Sequence, residues 1–229
     1  MHFVVLHDAK IIIFWSAKCG ATSLKFILLK YLGDTQTVGH THQKFNKYNL
    51  QNKQPDLDRV KNYKLVVLLR NPYDRLVSGF INKYVNGEYQ TPKNIGNFAD
   101  FVNTMSNNKQ IMNNVHFVPQ TSGPGWELLK KLGNPPIDLL LETHQVNEIA
   151  KLLGLEMESV HRNKTKKTNL PLTDVSQLFN LNLDDLRKIN RTQSYNTSQF
   201  FNKKLQADAD KIYHNDLEFF AGIGKKFSI

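Results

Sequence analysis

With 229 residues, 40% of them apolar, the chain can build one substantial α/β-sized core, and its longest apolar runs, five residues, are far too short to span a bilayer. A formal net charge of +10 fits nucleic acid, an anionic surface or a small polyanionic ligand, and a solvated Lys/Asn-rich surface accounts for it equally well. The single cysteine, Cys19, excludes an intrachain disulfide and fits a reducing, cytoplasmic setting, and Met1 to Asp8 carry neither a basic leader nor a small-residue cleavage site.

Phe3 to Leu6 and Ile11 to Trp15 read as short strands, either a hairpin through His7-Asp8-Ala9 or a main strand preceded by a minor one. Ser16 to Ser23 form a small-residue loop, and Leu24, Ile27, Leu28, Tyr31 and Leu32 then recur at helical spacing up to Gly33. A strand, a tight loop and a helix aim backbone N–H groups and the positive helix end at one spot, which suits an anion. Lys18 adds a full charge there, and Thr22 and Ser23 add hydroxyls.

Residues 34–54 are polar and predict loop with at most a short strand. Asp56 to Asn62 predict a helix after Pro55. Lys64 to Arg70 is a Val/Leu run of the kind found in a parallel sheet covered on both faces. Asn71 is a good helix N-cap and Pro72 a good first position, with Tyr73, Leu76, Val77, Phe80, Ile81 and Tyr84 as the apolar stripe. Phe98 to Met105 predict a helix, His116 to Gln120 an extended stretch, and 123–125 a turn. Ile137 to Leu141 predict a third buried strand, followed by a helix from Gln145 to Leu153. His161 to Thr168 read as basic loop, Leu183 to Ile189 as a short helix, and Ser198 to about Phe220 as one long helix. No repeat or low-complexity linker divides the chain, so the expectation is a single α/β domain over 1–229, with a mainly parallel central sheet flanked by helices in three layers.

Ligands of such sheets bind at the carboxyl ends of the strands. Lys18 follows one strand and Arg70 ends another, with Ser78 two turns into the next helix. Two anion sites side by side suit a ligand with two separated phosphates. A kinase-type P-loop needs Gly, four residues, then Gly-Lys-Ser/Thr; here Lys18 precedes Gly20, so that motif is absent.

The ordered segments resemble the sulfotransferase family that uses 3′-phosphoadenosine 5′-phosphosulfate (PAPS), in its carbohydrate, Golgi-type branch. Ala17-Lys18-Cys19-Gly20-Ala21-Thr22-Ser23 is similar to the family's 5′-phosphosulfate loop, with Ala17 in place of the usual Pro. Arg70-Asn71-Pro72-Tyr73-Asp74-Arg75-Leu76-Val77-Ser78 is similar to its 3′-phosphate motif. His116-Phe117-Val118-Pro119-Gln120 resembles a segment of the carbohydrate branch that has Trp where this chain has Phe117. His161 to Thr165 and Ile212 to Phe220 resemble later segments of that branch. The membrane anchor of animal Golgi members is absent from the sequence, so the resemblance is to a soluble microbial or viral member.

The resemblance implies a P-loop-like fold and direct transfer of a sulfuryl group from PAPS to a hydroxyl, on a carbohydrate by family analogy. It implies that Lys18 lies near the bridging oxygen of the leaving phosphate. Cys19, Gly20, Ala21, Thr22 and Ser23 would line the 5′ phosphate, and Arg70 and Ser78 would bind the 3′ phosphate. Lys164 could close over the nucleotide or belong to a solvated loop. His42 or His40 would be the general base, with His116 next in line. Arg75 could approach the 3′ phosphate or pair with a neighbour such as Asp74. No metal is expected, because no helical His pair or cysteine cluster accompanies the histidines. Two other readings stay open from the residues alone: a P-loop-like nucleotide kinase, and a basic nucleic-acid-binding module, for which no recognition motif is present.

Overall fold

The computed structural model describes residues 1–34, 41–156 and 170–229. Its strands are β1 (His2–Leu6), β2 (Ile11–Trp15), β3 (Lys64–Leu69) and β4 (Leu139–Glu142). Its α-helices in chain order are α1 (Ala21–Tyr31), α2 (Thr41–Lys47), α3 (Leu57–Val60), α4 (Pro72–Phe80), α5 (Phe98–Asn107), α6 (Lys109–Met112), α7 (Pro124–Lys131), α8 (Asn147–Leu152), α9 (Leu183–Thr192), α10 (Lys203–Ile212) and α11 (His214–Gly222). The chain alternates between two compact units, Met1–Arg70 with Gln120–Asn163, and Asn71–Pro119 with Lys164–Ile229.

The first unit holds the sheet, in the order β1-β2-β3-β4. β1 and β2 form an antiparallel hairpin, with Phe3 opposite Phe14. β2, β3 and β4 run parallel, so that Trp15 pairs with Leu68 and Leu68 with Leu141. All five residues of β2 are buried, as are the last five of β3. A strand buried on both faces needs a continuous β-branched and apolar run, which Ile11 to Trp15 and Leu65 to Leu69 supply. One face of the sheet joins Ile11, Ile13, Trp15, Val66 and Leu68 to Leu24, Ile27 and Leu28 of α1 and to Ile149 and Ala150 of α8 in one apolar cluster. β4 is less enclosed, with only Leu141 buried. The parallel register brings the carboxyl ends of β2, β3 and β4 to the same edge of the sheet.

The second unit is helical and aromatic. Phe80, Tyr84, Phe98, Phe101 and Phe117 share one core with Leu205, Ala209 and Tyr213. Asn71 caps α4 by accepting from the Tyr73 amide at 2.9 Å, with Pro72 in the first turn, as the sequence predicts. α4 then runs into a π-helical turn over Ile81–Val85.

Three local expectations are corrected. Within the polar stretch 34–54, Thr41–Lys47 is the helix α2; it shows one buried apolar residue, Phe45, too little to make a helical stripe legible. His116 to Gln120 is a turn rather than extended chain, because the amides of Phe117 and Val118 both donate to the Asn114 carbonyl, at 2.8 and 2.9 Å. The single C-terminal helix is broken into a 3₁₀ turn (Thr197–Phe200), α10 and α11. Asn202 starts α10 by capping the Leu205 amide at 2.9 Å. Tyr213, at φ −107° and ψ 21°, ends it, its buried hydroxyl donating to the Phe117 carbonyl at 2.9 Å.

Candidate active site

The loop after β2 departs from ordinary backbone at two positions. Lys18 sits at φ 69° and Gly20 at φ 80°. The left-handed region costs Gly20 little, whereas a lysine there costs about 1 kcal/mol or more, a kind of strain that concentrates at functional sites. The two residues turn the chain tightly from the end of β2 into α1. No side chain caps α1, and its first turn carries no acidic residue. The positive end of the helix is therefore not neutralised by its own sequence.

Arg70 leaves β3 at the same sheet edge, and its guanidinium reaches back to the loop, where Nη1 donates to the Lys18 carbonyl at 3.1 Å. Gln120, only 1% exposed, holds both pieces. Its Oε1 accepts from the Cys19 thiol at 3.0 Å and from the Arg70 amide at 3.1 Å. Its Nε2 donates to the Arg70 carbonyl at 2.8 Å. Cys19 is thus a buried loop residue with a hydrogen-bonding task. Lys18, Cys19 and Arg70 are brought together as the sequence predicts; Gln120 was visible only as the end of a resembling segment, with nothing to mark it as the clamp.

The edge offers further donors. Ser16 Oγ and Thr143 Oγ1 are buried and have no hydrogen-bond partner among the described residues. They follow the ends of β2 and β4, and a Cβ on Gly20 would lie 3.4 Å from Thr143 Cγ2. A cationic loop, an uncapped helix start, the Arg70 guanidinium and two unused buried hydroxyls form a donor set suited to the oxygens of a phosphosulfate.

His42 is carried to the start of α1 by α2. Its Nε2 lies 3.1 Å from Thr22 Oγ1. Its pKa is lowered, first by partial burial and then by the positive charge of Lys25, so the ring stays neutral near pH 7. His40 and Lys164, the other two predicted site residues of this group, lie outside the described residues. Ser78 lies in the second unit, in the second turn of α4, and is half-buried.

Arg75 is settled by its contacts. It is fully buried, and its guanidinium donates to the carbonyls of Val118 and Val115 at 2.8 and 3.2 Å. It fastens the 115–118 turn within the second unit, while Asp74 accepts from the Thr197 hydroxyl instead. His116 meets Tyr89 edge-on in the same unit, at a centroid distance of 6.4 Å. Among the described residues no group of three or more His, Cys, Asp or Glu is placed to hold a metal ion, and no helix is long and apolar enough to cross a membrane.

No curated protein and no solved structure matches the chain. The profile described as "Sulfotransferase family" matches residues 1–221, from the first strand to the last helix. That span includes the β2–α1 loop, Arg70 and α2, so the chain belongs to the sulfotransferase family, with sulfuryl transfer from a sulfate donor as its chemistry.

Proposed function

We propose that the chain transfers a sulfuryl group from PAPS to an acceptor hydroxyl, on a carbohydrate, in a cytoplasmic setting. The observation that carries this reading is the convergence of Lys18 and Arg70, held by the contact of Arg70 Nη1 with the Lys18 carbonyl at 3.1 Å. Two cationic residues, Lys18 and Arg70, at one sheet edge match a donor with phosphates on two sides of a nucleoside. In this reading Cys19, Gly20, Ala21, Thr22 and Ser23 enclose the 5′ phosphate, and Arg70, with Ser78 and Lys164, takes the 3′ phosphate side.

The reaction forms a bond from the acceptor oxygen to sulfur and breaks the bond from sulfur to the bridging phosphate oxygen. Lys18 stabilises the charge that develops on that leaving oxygen. His42 accepts the acceptor's proton, and His40 is the second candidate for that task. With its hydrogen on Nε2, the His42 ring donates to Thr22 Oγ1 and keeps the Nδ1 lone pair for the incoming proton. Positioning and charge neutralisation supply most of the catalysis, as in phosphoryl transfer.

The test is a thermal-shift series with adenosine 3′,5′-bisphosphate, AMP, ATP and duplex DNA. The bisphosphate at 100 times its dissociation constant is expected to stabilise the fold by about 2.7 kcal/mol, with AMP clearly weaker. Equal shifts from bisphosphate and AMP would contradict the two-phosphate reading, and a larger shift from ATP or DNA would favour the kinase or nucleic-acid alternative.

A further inference from the structure

Lys25 is a lysine in the wrong place for an ordinary surface residue. It lies on α1 with 6% of its surface exposed. Among the described residues it has no ion pair and no hydrogen bond, and its ammonium rests 5.3 Å from the centroid of the Phe45 ring. A buried cation without a counter-ion is costly, so α1 carries it at the expense of stability.

Its position relative to α2 is specific. Thr22 and Lys25 are one turn apart on α1, and His42 and Phe45 are one turn apart on α2. Thr22 meets His42 and Lys25 meets Phe45, so the two helices touch at two successive rungs. Rungs one helical turn apart are about 5 Å apart, which puts the ammonium within roughly 5–10 Å of the imidazole, inside one Debye length.

We propose that Lys25 is a positioning residue that acts through His42, its charge adding to burial in favouring the unprotonated imidazole. This deepens the reading of His42 as the base and rests on it. The charged groups named around the pair are cationic except for the carboxylate of Asp34. On β1, His2 has its own pKa pushed down to about 4, chiefly by burial, next by the N-terminal ammonium and then by the charge of Lys25. On α2 itself the charged neighbours of His42 are Lys44 and Lys47. The carboxylate of Asp34 lines a cavity of about 330 Å³ together with those two lysines and Tyr48. Thr22, the α1 residue in contact with His42, is neutral. A histidine in such a cationic setting remains a competent base below its ordinary range.

The test is an NMR titration of the His42 ring in wild type, Lys25→Met and Lys25→Arg. Met keeps the length of the chain and its packing on Phe45, and Arg keeps the charge. The His42 pKa is expected to rise by about half a unit in Lys25→Met at low salt, by less at 1 M salt, and to stay near the wild-type value in Lys25→Arg. The same His42 pKa in wild type and Lys25→Met would overturn the proposal, and so would equal rises in Met and Arg. The titration needs no acceptor or turnover, so its failure is separable from a failure of His42 as the base, which shows only in the transfer rate of His42→Ala.

Discussion

Replacing Gln120 by Leu tests whether the candidate donor site is held together from beneath. The Gln120 amide satisfies the Arg70 N–H at 3.1 Å and the Arg70 carbonyl at 2.8 Å, and it accepts from the Cys19 thiol at 3.0 Å. Leucine fills a similar volume but offers none of these partners. Losing the partner of a fully buried backbone group costs about 1–3 kcal/mol; the two Arg70 groups are part-buried, so the lower end, roughly 2 kcal/mol for the pair, applies. At 2–4 °C per kcal/mol for a chain of this size, that predicts a fall in Tm of roughly 4–8 °C. The second consequence is functional: with Arg70 no longer tied to the loop through Gln120, affinity for adenosine 3′,5′-bisphosphate is expected to fall about tenfold or more. Urea unfolding and isothermal calorimetry on the same preparations read both effects. A Gln120→Leu protein within 0.5 kcal/mol of wild type and with unchanged bisphosphate affinity would refute the clamp; 0.5 kcal/mol is about the usual scatter of an uninvolved site.

Gly79→Ala is expected to destabilise the second unit, because a Cβ there would lie 2.6 Å from Phe117 Cε1. Phe117 is fully buried and stacked on Tyr84 at 6.1 Å, so the ring cannot step aside. Overpacking of about 1–3 kcal/mol outweighs the roughly 1 kcal/mol that Ala gains over Gly in a helix, and a more stable Gly79→Ala in urea unfolding would contradict this. Arg70→Ala is expected to weaken donor binding more than turnover, since its contact is the same in ground and transition states; a changed kcat with unchanged donor affinity would argue the reverse. His42→Ala is expected to lower the transfer rate by about 10²–10⁴ while leaving bisphosphate affinity nearly intact. Because the neutral ring is the active form and its pKa is lowered, the rate in wild type is expected to hold below pH 6.5 and to fall only as pH drops through that depressed value. A rate that falls already between pH 7.5 and 6.5 would point to a different base.

The sheet and the loop were the legible parts. Ile11 to Trp15 and Leu65 to Leu69 are continuous apolar runs because both faces of those strands are covered, and Asn71-Pro72 announces α4 by its own capping chemistry. Lys18 to Ser23 could be read because a strand, a tight turn and a helix leave donors at one point whatever the rest of the fold does. What escaped were features made by distant partners. Gln120 is 50 residues from Arg70 and 101 from Cys19, and an isolated glutamine carries no sign of either contact. Arg75 reads in sequence equally as a phosphate contact or as the partner of a neighbour such as Asp74, and only its burial and its two carbonyl acceptors assign it to the fold. α2 has too little apolar surface to show a period, and the end of α10 is set by Tyr213, whose hydroxyl reaches Phe117. Lys25 reads as an ordinary helix lysine until its burial against Phe45 is seen.

The most direct measurement is a single-turnover assay with radiolabelled PAPS, saturating bisphosphate as competitor in parallel, and a panel of hydroxyl-bearing sugars as acceptors, run on wild type and Lys18→Ala. Wild type is expected to give labelled product, suppressed by the bisphosphate, and Lys18→Ala to lose about 10²-fold or more with donor affinity largely retained, because Lys18 acts on charge that develops only in the transition state. Transfer by Lys18→Ala at the wild-type rate would contradict the assignment of the loop after β2 as the catalytic centre.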